Sequence, residues 1–195
     1  MLRSHSYKYI FLAKLCQVSR WLFIAIVSLA ISTNVSASIY LTVSEALEIA
    51  FPQCDIQRRT IYLTQEQKVD ANKLTNVSVK SSLVYPYVAY REGEFVGVAY
   101  FDNHILRTLS ETIMVVVDQD NRIERIELLA FNEPPSYIPS EIWYDQFIGQ
   151  KLDKQLVLNR KIRGILGATL TTRQTTAATR RILAIHNVIK EQLKL

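Results

Sequence analysis

The sequence predicts an α+β domain, in which an antiparallel sheet of two hairpins is flanked by helices and followed by a long C-terminal helix. Two β-rich runs meet around Glu92–Gly93 and two more around Gln119–Asn121, and both turns are typical of hairpins. Toward the C-terminus, apolar residues recur every three or four positions, which indicates a helix with one buried face. These residues are Ala178, Ile182, Ile185, Ile189 and Leu193.

The first 37 residues have the layout of a signal peptide. They contain four basic residues and no acidic one, and an apolar run over residues 21–31 is followed by small residues ending at Ala37. The run is shorter than the roughly 20 residues of a bilayer-spanning helix. We therefore expect cleavage after Ala37 and one domain, residues 38–195, in the periplasm or elsewhere outside the cytoplasm. An uncleaved membrane anchor is the alternative.

The charge distribution argues against a nucleic-acid partner. The chain has a net charge of +5, but the leader supplies four of the positive charges, and residues 38–195 carry 19 basic and 18 acidic residues. Proteins that bind nucleic acid usually carry a clear excess of basic residues in the binding domain. We therefore expect no nucleic acid among the partners of this chain.

Three shorter segments before the C-terminal helix also have helical patterns. Residues 41–50 predict a short helix with Ser44 as a candidate N-cap, and residues 64–74 predict a second helix in which Thr64 and Gln67 form a capping box. Residues 140–147 predict a short amphipathic helix that Gly149 closes.

The turn before the C-terminal helix has the composition of a phosphate-binding turn. Gly167-Ala168-Thr169 offers little side-chain bulk, and hydroxyl groups follow at Thr171 and Thr172, either of which could cap the helix. The N-terminus of a helix presents free backbone N–H groups and the positive end of its dipole to an anion. A capped helix after a tight turn is the alternative interpretation.

Three segments in this order resemble the FMN-binding domain family. They are Glu133-Pro134-Pro135, the Trp-x-x-x-Phe-x-Gly pattern of residues 143–149, and Gly167-Ala168-Thr169-Leu170-Thr171. The family includes the C subunit of the sodium-translocating NADH:quinone reductase and the G subunit of the Rnf electron-transport complex. The pair Asp102 and His104 and the pair Arg107 and Thr108 also look like a feature of stand-alone relatives.

The resemblance implies a flavoprotein that carries electrons and is not a catalyst in its own right. In the family, a flavin transferase joins the phosphate of FMN to the threonine that matches Thr169, and the flanking residues from Gly167 to Thr171 hold the phosphate. The resemblance also implies that Trp143 and Phe147 pack in the core with one edge against the flavin, near Glu133. Redox proteins at or near the membrane would be the partners.

Two positions depart from the motif that the transferase recognises. The family has an aspartate six residues before the acceptor threonine and a hydroxyl three residues before it, where this chain has Arg163 and Leu166. We therefore expect most FMN to be held without a covalent bond, with Arg163 near the phosphate and Lys161 and Arg173 as further cations. A secreted binding or assembly module that keeps the fold without the flavin is the alternative function.

The remaining polar residues of interest are expected at the surface. His104 and Arg107 fall at a strand end, and the pair Arg180–Arg181 falls on the C-terminal helix. Without the resemblance, Glu133 would be a solvated acid in a turn.

Overall fold

The computed structural model describes residues 38–75 and 77–193, and the predicted signal peptide over residues 1–37 lies outside them. The predicted α+β class is confirmed. The strands in the described residues are β1 (Ser38–Ile39), β2 (Asp55–Arg58), β3 (Ile61–Tyr62), β4 (Leu83–Val84), β5 (Tyr87–Arg91), β6 (Glu94–Ile105), β7 (Ser110–Asp118) and β8 (Ile123–Phe131).

Six of these strands form one antiparallel sheet in the order β1-β8-β7-β6-β5-β2, and β3 pairs with β4. The two predicted hairpins are β5–β6 and β7–β8, at the centre of the sheet. Glu92, Gly93 and Asn121 have φ angles of 53°, 85° and 60°, as tight hairpin turns require. Strands β1 to β3 were not predicted, because strands of two to four residues carry too little alternation to be recognised. The single β-rich run predicted over residues 83–91 is divided into β4 and β5.

Four α-helices accompany the strands in the described part of the chain: α1 (Val43–Ala50), α2 (Gln65–Leu74), α3 (Glu141–Tyr144) and the long α4 (Thr169–Leu193). None of the helices within residues 38–75 and 77–193 is long and apolar enough to cross a bilayer. The predicted helix over residues 140–147 is split, since α3 continues as a 3₁₀ turn at Asp145–Phe147. Gly149 follows with a φ of 75°, as predicted for the closing residue.

Both short N-terminal helices begin with a capping box. The predicted box of Thr64 and Gln67 is confirmed. The predicted cap at Ser44 is wrong, because the box at α1 joins Thr42 and Glu45. Thr42 has the acidic residue three positions later that a capping box needs, and Ser44 does not.

The sheet separates two layers of buried apolar side chains. Along β7, Ile113, Val115 and Val117 pack with α4 and α2 on one face, while Met114 and Val116 pack with α1 on the other. This alternation follows from the two-residue period of a strand. The predicted apolar face of α4 is buried as well, and only Ile185 among its five residues is half-buried.

Candidate functional site

Glu133 and the Gly-Ala-Thr turn lie at the same small cavity, which has a volume of about 180 Å³. The connection between β6 and β7, the turn after β8 and the start of α4 all contribute to it. We call it the α4 cavity. It is lined by Leu106, Arg107, Glu133, Tyr137, Gly167, Ala168, Thr169, Leu170 and Thr171.

The turn before α4 depends on a left-handed backbone. Gly167 has a φ of 90°, a region that residues with a side chain rarely adopt. The backbone N–H of Ala168 donates to the carbonyl of Ile165 (3.2 Å), and that of Thr172 donates to the carbonyl of Ala168 (3.0 Å). Thr169 is therefore the first residue of the helix, and the N–H groups of the first turn border the α4 cavity.

The predicted caps Thr171 and Thr172 are wrong, because both lie inside the first turn of α4. Their side chains are buried, and the Thr172 hydroxyl donates to the carbonyl of Thr169 at 3.1 Å. A hydroxyl that bonds back to the preceding turn leaves the first N–H groups of the helix unsatisfied. These groups are consequently available to a ligand.

Thr169 itself is exposed at the mouth of the turn. Its hydroxyl donates to the carbonyl of Ile165 at 3.3 Å. The hydroxyl oxygen keeps its lone pairs for another partner, since it acts only as a donor in this bond. The Thr169 hydroxyl is thus open to solvent, and its proton can reach an anion only when the bond to Ile165 is released.

The Glu133 carboxylate holds the connection between β6 and β7. Its Oε1 atom accepts hydrogen bonds from the backbone N–H groups of Thr108 (2.8 Å) and Leu109 (2.9 Å) and from the Thr108 hydroxyl (3.1 Å). The backbone hydrogen bonds lower the pKa of Glu133. The expectation of a solvated turn acid is wrong, because Glu133 is buried against the loop that presents Arg107 to the cavity.

Trp143 and Phe147 lie in the core layer beneath α4. Both are buried, and their rings meet edge to face with centroids 5.2 Å apart. The Trp143 indole N–H donates to the carbonyl of Arg163 at 2.6 Å. The two aromatic residues therefore support the segment before the Gly-Ala-Thr turn, and they are not among the residues that line the cavity.

Arg163 and Leu166, the two departures from the family motif, lie on the outer side of that segment. The Arg163 backbone N–H donates to Gln146 Oε1 at 2.8 Å, while its side chain is exposed. Leu166 is fully exposed. The cation that lines the α4 cavity is Arg107, a residue that the sequence analysis placed only at the surface.

A cluster of four charged side chains lies between the sheet and α4, and we call it the charge cluster. The Arg181 guanidinium donates two hydrogen bonds to the Asp102 carboxylate, from Nε to Oδ2 (3.0 Å) and from Nη2 to Oδ1 (2.6 Å). His104 Nδ1 lies 3.1 Å from the same carboxylate. His104 Nε2 lies 2.9 Å from Glu111 Oε2, at ion-pair distance but out of line for a hydrogen bond.

The neighbours of His104 and of Asp102 favour the charged forms of these two side chains. Burial by itself would lower the pKa of His104, but the carboxylates of Asp102 and Glu111 outweigh burial and hold this pKa above its ordinary value. Burial likewise acts to raise the pKa of Asp102, and His104 and Arg181 hold it below its ordinary value. Each of these two groups is therefore held in its charged form by neighbours of opposite sign.

The charge cluster also fixes the start of α4. Glu111 is fully buried, and its Oε2 atom accepts a hydrogen bond from the Thr175 hydroxyl at 2.8 Å. Thr175 lies one helical turn after Thr171, which lines the α4 cavity. The contact holds the first turns of α4 to the sheet.

The expectation that His104 and Arg181 lie at the surface is wrong, and strand register explains why. Asp102 and His104 alternate on the face of β6 that α4 covers, and His104 pairs directly with Glu111 on β7. The predicted pairing of the two central strands sets an imidazole opposite a carboxylate, and such a pair on a covered sheet face indicates a buried ion pair. Arg181 gave no comparable signal.

Arg180 is buried too, contrary to the expectation of a surface residue. Its Nη1 atom donates to the carbonyls of Asp153 (2.7 Å) and Leu156 (3.0 Å). Burial lowers the pKa of Arg180. These bonds attach the segment between the 3₁₀ turn and α4 to the helix.

No family model matches the chain, and no curated protein is significantly similar to it. Within residues 38–75 and 77–193, no group of three or more His, Cys, Asp or Glu side chains is arranged to hold a metal ion.

Proposed function

We propose that the chain is an extracytoplasmic FMN-binding protein that carries electrons in a membrane-associated redox chain. The observation that supports it best is the meeting of Glu133 with the turn from Gly167 to Thr171 at one cavity. These are two of the three segments that carry the resemblance to the FMN-binding domain family. The extracytoplasmic location rests on the sequence of the first 37 residues.

The residues around the α4 cavity suit the phosphate end of FMN. The first turn of a 25-residue helix offers backbone N–H groups and a positive dipole end, and Arg107 adds a full positive charge. A volume of about 180 Å³ is smaller than the roughly 300–1,000 Å³ of a site that encloses a drug-sized ligand. The cavity would therefore take the phosphate, and the rest of the cofactor would lie along the surface beside Tyr137 and Leu170.

Each residue of the site then has a role in holding the cofactor. The flavin supplies the redox chemistry when it is bound. Glu133 holds the loop that carries Arg107, which lines the same cavity as the first turn of α4. In the noncovalent form the hydroxyl of Thr169 would turn away from the carbonyl of Ile165 to donate to the phosphate, and in the covalent form it would accept the phosphate if a flavin transferase acts on the chain. Arg163 and Leu166 weaken recognition by such an enzyme, which favours the noncovalent form.

A comparison of FMN with riboflavin tests this proposal, because riboflavin lacks the phosphate. We expect purified chain to be yellow, and after removal of its flavin to bind FMN roughly ten- to a hundredfold more tightly than riboflavin in a fluorescence titration. Arg107→Ser should remove most of that preference. Arg122→Ser, at the exposed β7–β8 turn, is the matched control and should leave it unchanged.

Arg163→Ser separates the two candidate cations. A loss of preference in this variant and none in Arg107→Ser would assign the phosphate contact to Arg163, as the sequence analysis expected. A chain that is colourless as purified and binds neither FMN nor riboflavin would refute the proposal and leave the secreted binding or assembly module.

A further inference from the structure

Positive charge is concentrated in one segment of the chain, residues 151–173, which we call the basic segment. It contains six basic residues and one acidic residue, while the rest of residues 38–195 contains 13 basic and 17 acidic residues. Its single acid, Asp153, pairs with Lys161 inside the segment. All six basic side chains are exposed: Lys151, Lys154, Arg160, Lys161, Arg163 and Arg173.

The basic segment also carries an apolar tip. Leu166 has a relative exposure of 101%, and Leu170, four residues later, is 44% exposed. Gly164 and Gly167 lie on either side of Leu166, and a side chain at either glycine would meet no other atom within 4 Å. Leu166 therefore projects from an open part of the surface, and the exposed basic side chains of the same segment accompany it.

Several contacts fix the shape of this surface. Leu156 and Ile162 are fully buried, Arg180 binds the carbonyls of Asp153 and Leu156, and Trp143 binds the carbonyl of Arg163. The exposed side chains are thus presented by a backbone that the core holds in place. A surface that is ordered before binding loses less conformational entropy when it binds.

We propose that the basic segment docks on a lipid bilayer that contains anionic phospholipid, with Leu166 inserted between the headgroups. Anionic lipid complements the excess of basic side chains, and each Lys or Arg near such a surface strengthens binding about fivefold. An inserted apolar side chain reaches the boundary between headgroups and acyl chains.

The composition of the surface favours a bilayer over an acidic protein. Binding hot spots between proteins are enriched in Trp, Tyr and Arg and poor in Leu, and interfaces are depleted in Lys. The basic segment contains three arginines, but half of its cations are lysines, its protruding residue is a leucine, and it has no aromatic residue. Docking in this way would bring Thr169 and Leu170 close to the membrane whether or not the chain binds flavin.

A spin label at position 166 tests the contact in the full chain. Cys16 and Cys54 are replaced by Ser, Leu166→Cys carries the label, and the chain is mixed with vesicles of phosphatidylcholine alone or of phosphatidylcholine with phosphatidylglycerol. We expect the label to become accessible to oxygen and protected from a water-soluble nickel chelate only on the anionic vesicles. Because the label reports its own depth, a leader that also binds the vesicles does not mask the result.

Ile142 provides the control for a purely apolar contact. It is 78% exposed but follows Glu141 on α3, and a label at Ile142→Cys should stay in water on both kinds of vesicle. Raising the salt from about 0.1 M to about 1 M shortens the screening length from roughly 10 Å to 3 Å and should release the label at position 166.

Charge reversal supplies an independent measurement. Arg160, Lys161 and Arg163 changed together to Glu should weaken the anionic-vesicle contact by a hundredfold or more, on the order of fivefold for each charge removed. The matched control changes three other exposed cations to Glu and should leave the contact within about threefold. A label at position 166 that stays in water on anionic vesicles, or that is equally immersed on neutral ones, overturns the proposal. The first of these results would leave an acidic protein as the occupant. The control cations are Arg58, Lys73 and Lys80.

Discussion

Removing Arg181 should strongly destabilise the domain. Its guanidinium makes a two-pronged contact with Asp102, whose side chain is only 14% exposed, and His104 lies on the other side of that carboxylate. In Arg181→Met, two carboxylates would face one imidazolium in a largely buried place. Removing one partner of a buried ion pair typically costs about 3–5 kcal/mol, because the remaining charge loses its compensation.

A double-mutant cycle isolates this pairing from the loss of packing. Asp102→Asn alone leaves an excess positive charge, and it should also be costly. The double variant keeps His104 and Glu111 as a balanced pair, so we expect it to be more stable than the sum of the single changes predicts, by about 1.5–3 kcal/mol. Arg173→Met is the matched control, since Arg173 is exposed on the same helix, and it should cost less than about 0.5 kcal/mol.

Urea denaturation at pH 7 measures these free energies. With a denaturant slope of about 2 kcal/mol per M, a loss of 3–5 kcal/mol moves the midpoint of Arg181→Met down by roughly 1.5–2.5 M. A midpoint shift as small as that of Arg173→Met, or costs that simply add in the double variant, would refute the reasoning. The charges of the cluster would then be solvated and energetically independent.

Four further outcomes are expected. The pKa of His104 is raised, so its contribution to stability is complete below its unfolded-state value of about 6.5 and is lost as the pH rises through the folded-state value. Urea titrations across this range should show a falling free energy of unfolding, and a smaller fall in Glu111→Gln. Trp143→Leu should cost about 2–4 kcal/mol in the same assay, because it removes a buried ring and its hydrogen bond. On a denaturing gel in acid, flavin fluorescence should leave the protein band, whereas a fluorescent band that Thr169→Val abolishes would contradict noncovalent binding. N-terminal sequencing of the exported protein should begin at Ser38, and a full-length chain in the membrane would favour the anchor.

The sequence predicted the elements with strong periodicity. The sequence indicated the four central strands and the buried face of α4, because each contains enough residues for a period of two or of 3.6 to be recognised. The two hairpin turns between those strands were predicted as well. The sequence also contains the signal for the cap at Thr42, since Glu45 lies three residues later and completes the capping box. Ser44 was predicted instead because serine on its own is a preferred N-cap residue. The short strands β1 to β3 depend on tertiary pairing, which local sequence does not record.

Part of the candidate site was predicted, namely Glu133 and the turn from Gly167 to Thr171. Arg107 was not assigned to it, because its position at the cavity depends on how Glu133 holds the loop between β6 and β7. Local sequence also placed the start of α4 too late. Threonine hydroxyls can cap a helix or bond back along it, and only the packed neighbours decide between the two.

The charge cluster explains why α4 can begin with so many threonines. Their β-branched, polar side chains are poor helix formers compared with alanine, yet Thr171, Thr172 and Thr175 are all buried in the first two turns. Thr175 binds the buried carboxylate of Glu111, which a purely apolar helix face would leave with fewer hydrogen bonds. The helix therefore keeps a polar start where the sheet presents charge and becomes apolar where the sheet is apolar. Because the same first turn borders the α4 cavity, residues that touch no ligand set the position of the N–H groups on which the proposed phosphate contact depends.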